Sequence, residues 1–236
     1  MKKNTAFLLF VCLFFMFSQS YSDDTEVVKS ILRTNNDLNW KVDDIATVVN
    51  GRIVTLNLNN PDIGREGITS LGPEIGQLTE LTKLTINDND LTALPAAVFS
   101  LTKLRELEIR NNSLLTLPLG INNLKNLRIL DLRNNQLSEL PEEIGDLSSL
   151  VKLHLWGNNL MSIPPEIGNL SSLQELYLKG NRLTTLPDEI TKLKIKYIDI
   201  LDNRICNPSA IIDKWLRKFD DKYEVLQKCQ GEKRFH

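Results

Sequence analysis

Six asparagines set the frame of this chain. Asn89, Asn112, Asn135, Asn158 and Asn181 follow one another at intervals of 23 residues, and Asn203 comes 22 after the last. Each sits in the pattern L-x-x-L-x-L-x-x-N-x-L, as in "LRILDLRNNQL" from Leu127 to Leu137. A fixed period of this length belongs to stacked solenoids, in which each unit buries its apolar face only against its neighbours. Functional chemistry is therefore expected on a displayed surface rather than in an enclosed pocket.

Within each repeat two periodicities alternate. Leu130 and Leu132 alternate with Ile129, Asp131 and Arg133, the period-2 pattern of a strand with one inward face. The same alternation recurs at Leu84/Ile86, Leu107/Ile109, Leu153/Leu155, Leu176/Leu178 and Ile198/Ile200. Short strands at a fixed spacing stack as a parallel sheet, about 4.8 Å apart, with right-handed crossovers. The second half of each unit carries Leu94-Pro95, Leu117-Pro118, Leu140-Pro141, Ile163-Pro164 or Leu186-Pro187. Pro141 suits the first position of a helical turn, with Glu142 and Glu143 near its positive end. Ile144 and Leu147 then face the core together, so helical or 3-10 turns line the outer side. The asparagines fall where the strand ends and backbone groups lose their ladder partners. An amide side chain supplies both donors and an acceptor, so the six are read as structural rungs between repeats. The first repeat departs from the frame: Pro61 stands where the asparagine should fall, and Asn60 is the expected substitute.

The two ends have their own character. Lys2 and Lys3 lead into an apolar run from Ala6 to Phe17, followed by Ser18-Gln19-Ser20 and Ser20-Tyr21-Ser22. This is the layout of a secretory signal over residues 1–22, cleaved after Ser20 or Ser22. The run is short for a membrane-spanning helix, which needs about 20 residues. Cys12 leaves with the signal, and Cys206 and Cys229 remain. Two cysteines in an exported chain read as one disulfide, worth about 3 kcal/mol, the alternative being two free thiols. Losing Lys2 and Lys3 leaves 26 basic residues against 30 acidic ones, a net charge of −4. That balance argues against nucleic acid or anionic lipid as the main partner.

The repeats resemble the leucine-rich repeat family, over about Ile53 to Ile205. The resemblance implies an α/β fold: a curved solenoid with a parallel sheet of about seven strands on its concave face and helical or 3-10 turns on its convex side. It also implies protein binding as the commonest use. Helical caps are expected at both ends, since a solenoid otherwise exposes raw core. Over 23–52, Val27, Val28, Ile31 and Leu32 share one helical face with Thr25 as N-cap. Leu38, Trp40, Val42, Ile45, Val48 and Val49 supply further apolar cover. Over 206–236, a helix begins at Asn207-Pro208 and presents Ile211, Ile212, Trp215, Leu216 and Phe219. The stretch "NRICNPSAIIDKWLRKFDDKYEVLQKC" is similar to the C-terminal cap of exported bacterial leucine-rich repeat proteins. With no kinase domain or second hydrophobic span after the repeats, the expectation is a short, free-standing, exported bacterial member, secreted or held in the periplasm or cell envelope.

Outward strand positions form three columns. His154, Trp156, Tyr177 and Tyr197 occupy neighbouring places in them, with Ile129, Asp131, Arg133 and Lys179 alongside. Displayed aromatics flanked by charge are the material of binding hot spots. Glu108 and Asp131 in the middle column beside Arg110 and Arg133 either compensate one another or steer a partner. Only His154 and His236 are available as imidazoles, and an open sheet does not exclude water, so neither catalysis, a metal site nor a cofactor is expected. The expected partner is a protein. A glycan stacking on the same aromatics is the alternative, and self-association of an envelope structural protein a third. No nucleic acid and no stable membrane insertion after signal cleavage are expected.

Overall fold

A computed structural model of the chain describes residues 23–36, 38–61 and 67–219. The expected secretory signal, Cys229 and residues 62–66 of the irregular first repeat lie outside them. Helix α1 covers 23–34 and helix α2 covers Val42–Ile45. Eight strands follow: β1 (Ala46–Val49), β2 (Arg52–Asn57), β3 (Lys83–Thr85), β4 (Glu106–Glu108), β5 (Ile129–Asp131), β6 (Lys152–His154), β7 (Glu175–Tyr177) and β8 (Tyr197–Asp199). Helix α3, Ala210–Leu216, closes the array. The eight form one sheet in chain order, parallel from β2 onward. Its register follows the repeat, pairing Leu107 with Leu130, Leu130 with Leu153 and Leu153 with Leu176.

The sequence leads to about seven strands, and the eighth is a feature of the N-terminal cap. β1 runs antiparallel to β2 and covers the sheet edge that the first repeat would leave unpaired. Asn50 and Gly51 join them with φ of 50° and 73°, the two positive angles of a type I′ hairpin turn. Val48 and Val49 therefore serve by backbone pairing and do not cover the core: their side chains are 38% and 50% exposed. Val27, Val28, Ile31 and Leu32 are buried against the first repeat. Thr25 lies inside α1 rather than capping it. The polar anchor of this cap is Asp24, which accepts from the Ile53 backbone N–H at 2.8 Å and from Arg52 Nε at 3.0 Å.

On the outer side, 3-10 turns span Pro73–Gln77, Ala96–Ser100, Ile121–Asn123, Glu142–Asp146, Pro165–Asn169 and Asp188–Lys192. Pro141 precedes its turn in extended conformation (φ −68°, ψ 148°) instead of occupying the first helical position. Ile144 and Leu147 are both buried. Strands stack at about 4.8 Å while packed helical turns need 8–10 Å, so the sheet takes the inner, concave side of the curve.

The asparagines occupy the seam between strand and turn, and all six are buried. Each Oδ1 accepts a backbone N–H of the preceding repeat: Leu91 to Asn112, Leu114 to Asn135, Leu137 to Asn158 and Leu160 to Asn181, at 3.0–3.1 Å. Each Nδ2 donates back to a carbonyl, as Asn135 does to Ile109 O at 2.7 Å and Asn158 to Leu132 O at 2.9 Å. Asn89 and Asn203 complete the ladder through Ile68 N–H and Leu183 N–H. In the first repeat Asn60 is only half-buried, and its backbone N–H donates to Asn87 O at 3.0 Å. The residue before each rung is left-handed: Asp88, Asn111, Asn134, Gly157, Gly180 and Asp202 all have φ between 51° and 70°. That backbone selects Gly, Asn or Asp.

At the far end, Ser209 caps α3 by accepting from Ile212 N–H at 3.3 Å, two residues later than the Asn207 start read from sequence. Ile212, Trp215 and Leu216 are buried, Phe219 packs on Trp215 at 5.1 Å, and Ile211 faces solvent. Cys206 is disulfide-bonded.

Candidate recognition face

The parallel register brings the outward columns into line. Glu106, Ile129, Lys152, Glu175 and Tyr197 are successive partners in one row, and Glu108, Asp131, His154, Tyr177 and Asp199 in the next. Arg133, Trp156, Lys179 and Leu201 follow the strand ends, tied by Asn134 N–H to Trp156 O at 2.8 Å and Gly157 N–H to Lys179 O at 2.9 Å. All eight residues singled out on this face therefore lie within four consecutive repeats.

Three rings form a continuous apolar ledge. Tyr177 meets His154 edge-on, with centroids 4.5 Å apart at 80°, and meets Tyr197 at 4.9 Å and 39°. Tyr197 and Trp156 are 46% and 42% exposed, so the ledge faces outward. Lys179 Nζ stands 5.9 Å from the Trp156 ring centre, within cation–π range. A hollow of about 270 Å³ is lined by Arg133, His154, Trp156, Tyr177, Lys179 and Asp199. Trp156 is seated by a residue the sequence reading passed over. Gly180 has φ of 65°, and a Cβ there would lie 3.3 Å from Trp156 Cδ1 and Nε1, so the indole lies against bare backbone.

The charged members divide into two kinds. Asp131 is only 3% exposed and is held by Arg133, which donates from Nε at 2.9 and 3.1 Å and from a terminal nitrogen at 2.6 Å. Burial would raise the Asp131 carboxyl, but the neighbouring His154 and the Arg133 hydrogen bonds outweigh it and hold the group well below the usual carboxylate range. Arg133 is the partner whose geometry carries this effect. His154 Nδ1 stays 3.7 Å from the carboxylate, beyond hydrogen-bond length. Asp131 thus orients Arg133 and is not itself a contact surface. Glu108 pairs with Lys83 at 3.1 Å, not with Arg110, so the charge pattern is largely compensated inside the sheet. Lys179, by contrast, is only loosely paired, 4.0 Å from Asp202. Neither ring nitrogen of His154 has a hydrogen-bond partner among the described residues, although both are buried.

A family model described as a leucine-rich repeat region matches residues 98–178 and 120–202. The repeat array belongs to the leucine-rich repeat family. Among solved structures, a leucine-rich repeat protein of Leptospira interrogans is 35% identical over 64% of this chain and 44% of its own, with a TM-score of 0.50. A plant ice-binding protein superposes with a TM-score of 0.68 at 25% identity, over 77% of this chain and 64% of its own. A plant peptide hormone receptor, RGFR1 in complex with RGF2, is 36% identical over 57% of this chain and 23% of its own, with a TM-score of 0.54. The chain thus spans less than two thirds of the length of each of these three proteins. No curated protein matches it. Among the described residues no helix is long and apolar enough to cross a membrane.

Proposed function

We propose that this leucine-rich repeat chain is an exported, non-catalytic recognition scaffold that binds a protein or peptide partner on its concave face. The observation that carries the reading is the run of His154, Tyr177 and Tyr197 rings beside a 270 Å³ hollow that Trp156 and Tyr177 line. The face combines the exposed rings of Trp156 and Tyr197, which supply contact area at low entropic cost, with cations from Arg133 and Lys179. Ile129 extends the apolar border. The peptide bound by the plant hormone receptor supports this use of the array. The basic, apolar start of the sequence supports export, the resemblance of its C-terminal stretch supports a bacterial source, and a Cys206–Cys229 bridge is proposed to lock the C-terminal cap.

The test uses the mature chain as bait against envelope and culture-medium fractions, beside a Trp156→Ala/Tyr177→Ala variant. A protein retained by the wild type and lost from the variant, with the thermal transition of the variant intact, establishes the assignment. Equal retention by both overturns it.

A further inference from the structure

We propose a second binding site, for an anionic saccharide chain, on the flank of the solenoid at the N-terminal ends of β4 to β8. The flank carries an open groove of about 590 Å³, lined by Arg105, Arg128, Lys194 and Lys196 together with hydroxyl and amide side chains. Arg105, Arg128 and Lys196 immediately precede β4, β5 and β8, so they share one column of the repeat. A rail of backbone hydrogen bonds fixes that column. Arg128 N–H donates to Arg105 O, Val151 N–H to Arg128 O, Gln174 N–H to Val151 O and Lys196 N–H to Gln174 O, each at 2.8 Å. Four strand spacings separate Arg105 from Lys196, about 19 Å. The site is therefore long and rigid.

Its charge is unlike that of the sheet face. Lys83 and Lys152 are bound by Glu106 and Glu175, and Arg133 by Asp131. None of the four groove cations forms an ion pair among the described residues, and no carboxylate lines the groove. Four like charges held together on a chain of net charge −2 repel one another and attract anions. The neutral lining selects among anions. Ser149, Ser171 and Gln174 offer donors and acceptors suited to sugar hydroxyls, while no aromatic ring is present for the base stacking that single-stranded nucleic acids use. The length and openness of the groove fit a chain and not an isolated anion. Val151 and Trp156 lie beyond opposite ends of β6, about 16 Å apart along extended chain, so both sites can be filled at once.

The experiment measures binding of the full exported chain to heparin, neutral dextran and oligothymidylate at about 0.15 M salt. Two variants carry equal charge loss: Arg105→Gln/Arg128→Gln/Lys194→Gln/Lys196→Gln in the groove, and Lys29→Gln/Arg33→Gln/Lys83→Gln/Lys152→Gln elsewhere. The expected result is heparin binding that dextran does not share. It should weaken about tenfold in the groove variant and less than about twofold in the control. The double variant Arg105→Gln/Arg128→Gln falls between, and near-ultraviolet dichroism checks that each remains folded. Absence of heparin binding, equal losses in both quadruple variants, or oligothymidylate held as tightly as heparin would each overturn the proposal.

Discussion

Replacing Asn158 by alanine probes the central stabilising device of the solenoid. Its Oδ1 accepts the Leu137 N–H at 3.0 Å, and its Nδ2 donates to Leu132 O at 2.9 Å and Leu155 O at 3.0 Å. The two carbonyls keep other donors after the substitution, Asn135 Nδ2 for Leu132 and Asn181 Nδ2 for Leu155. The Leu137 N–H is left without a partner among the described residues and becomes an orphaned buried donor. That orphan costs about 1–3 kcal/mol, and the two weakened acceptors add about 0.5 kcal/mol each. The expected loss is therefore about 2–4 kcal/mol in urea unfolding monitored by far-ultraviolet dichroism. Asn159→Ala is the matched control, because its side chain takes no part in the ladder, and it should cost less than about 0.5 kcal/mol. Asn158→Asp keeps the acceptor but turns a carboxylate toward two carbonyls, and should be at least as damaging at neutral pH as alanine. Equal stability of Asn158→Ala and Asn159→Ala would refute the reasoning.

Acidification should remove the contribution of the Asp131–Arg133 pair. The Asp131 carboxyl lies below its ordinary 3.8 in the folded state, so its stabilisation is complete above that value and is lost as pH falls through the folded one. The stability gap between wild type and Asp131→Asn, about 2 kcal/mol at pH 7, should narrow below pH 3.8, and a gap that widened instead would contradict this sign. Gly180→Ala places a Cβ at φ 65° and 3.3 Å from the indole, so it should cost about 1 kcal/mol and shift tryptophan emission. Unchanged emission would show that Trp156 does not rest on that backbone. Cys206→Ser should lower stability under oxidising conditions by about 3 kcal/mol, and peptide mapping of the unreduced chain should recover Cys206 joined to Cys229.

The repeating interior was legible because its two signals, leucine alternation and asparagine spacing, arise from the same requirement: every unit must bury one face and pair its backbone against an identical neighbour. Once that register is known, the outward columns follow arithmetically, which is why His154, Tyr177 and Tyr197 could be placed side by side from sequence. The caps were harder, because they answer to unique neighbours. Asp24 looks like any acidic residue until Arg52 and the Ile53 N–H are brought to it. Val48 and Val49 look like core residues until β1 is seen to pair at an edge. One missed signal was available: Asn50-Gly51 between Val49 and Arg52 is a hairpin turn in sequence as well as in structure. Another was the left-handed residue before each rung, whose restriction to Asn, Asp and Gly is visible in the alignment of the repeats themselves. The charges were legible only as two alternatives, compensation or steering, and it is the geometry that decides for compensation by pairing Asp131 with Arg133 and Glu108 with Lys83.

The most direct measurement of the recognition claim is site-specific photo-crosslinking in the native host. A photoreactive phenylalanine analogue replaces Trp156 on the concave face or Glu143 on the convex turn, in chains of equal stability and abundance. The account predicts a discrete crosslinked protein at position 156 and none at 143. Crosslinks of equal strength at both positions, or at 143 alone, would contradict a concave recognition face.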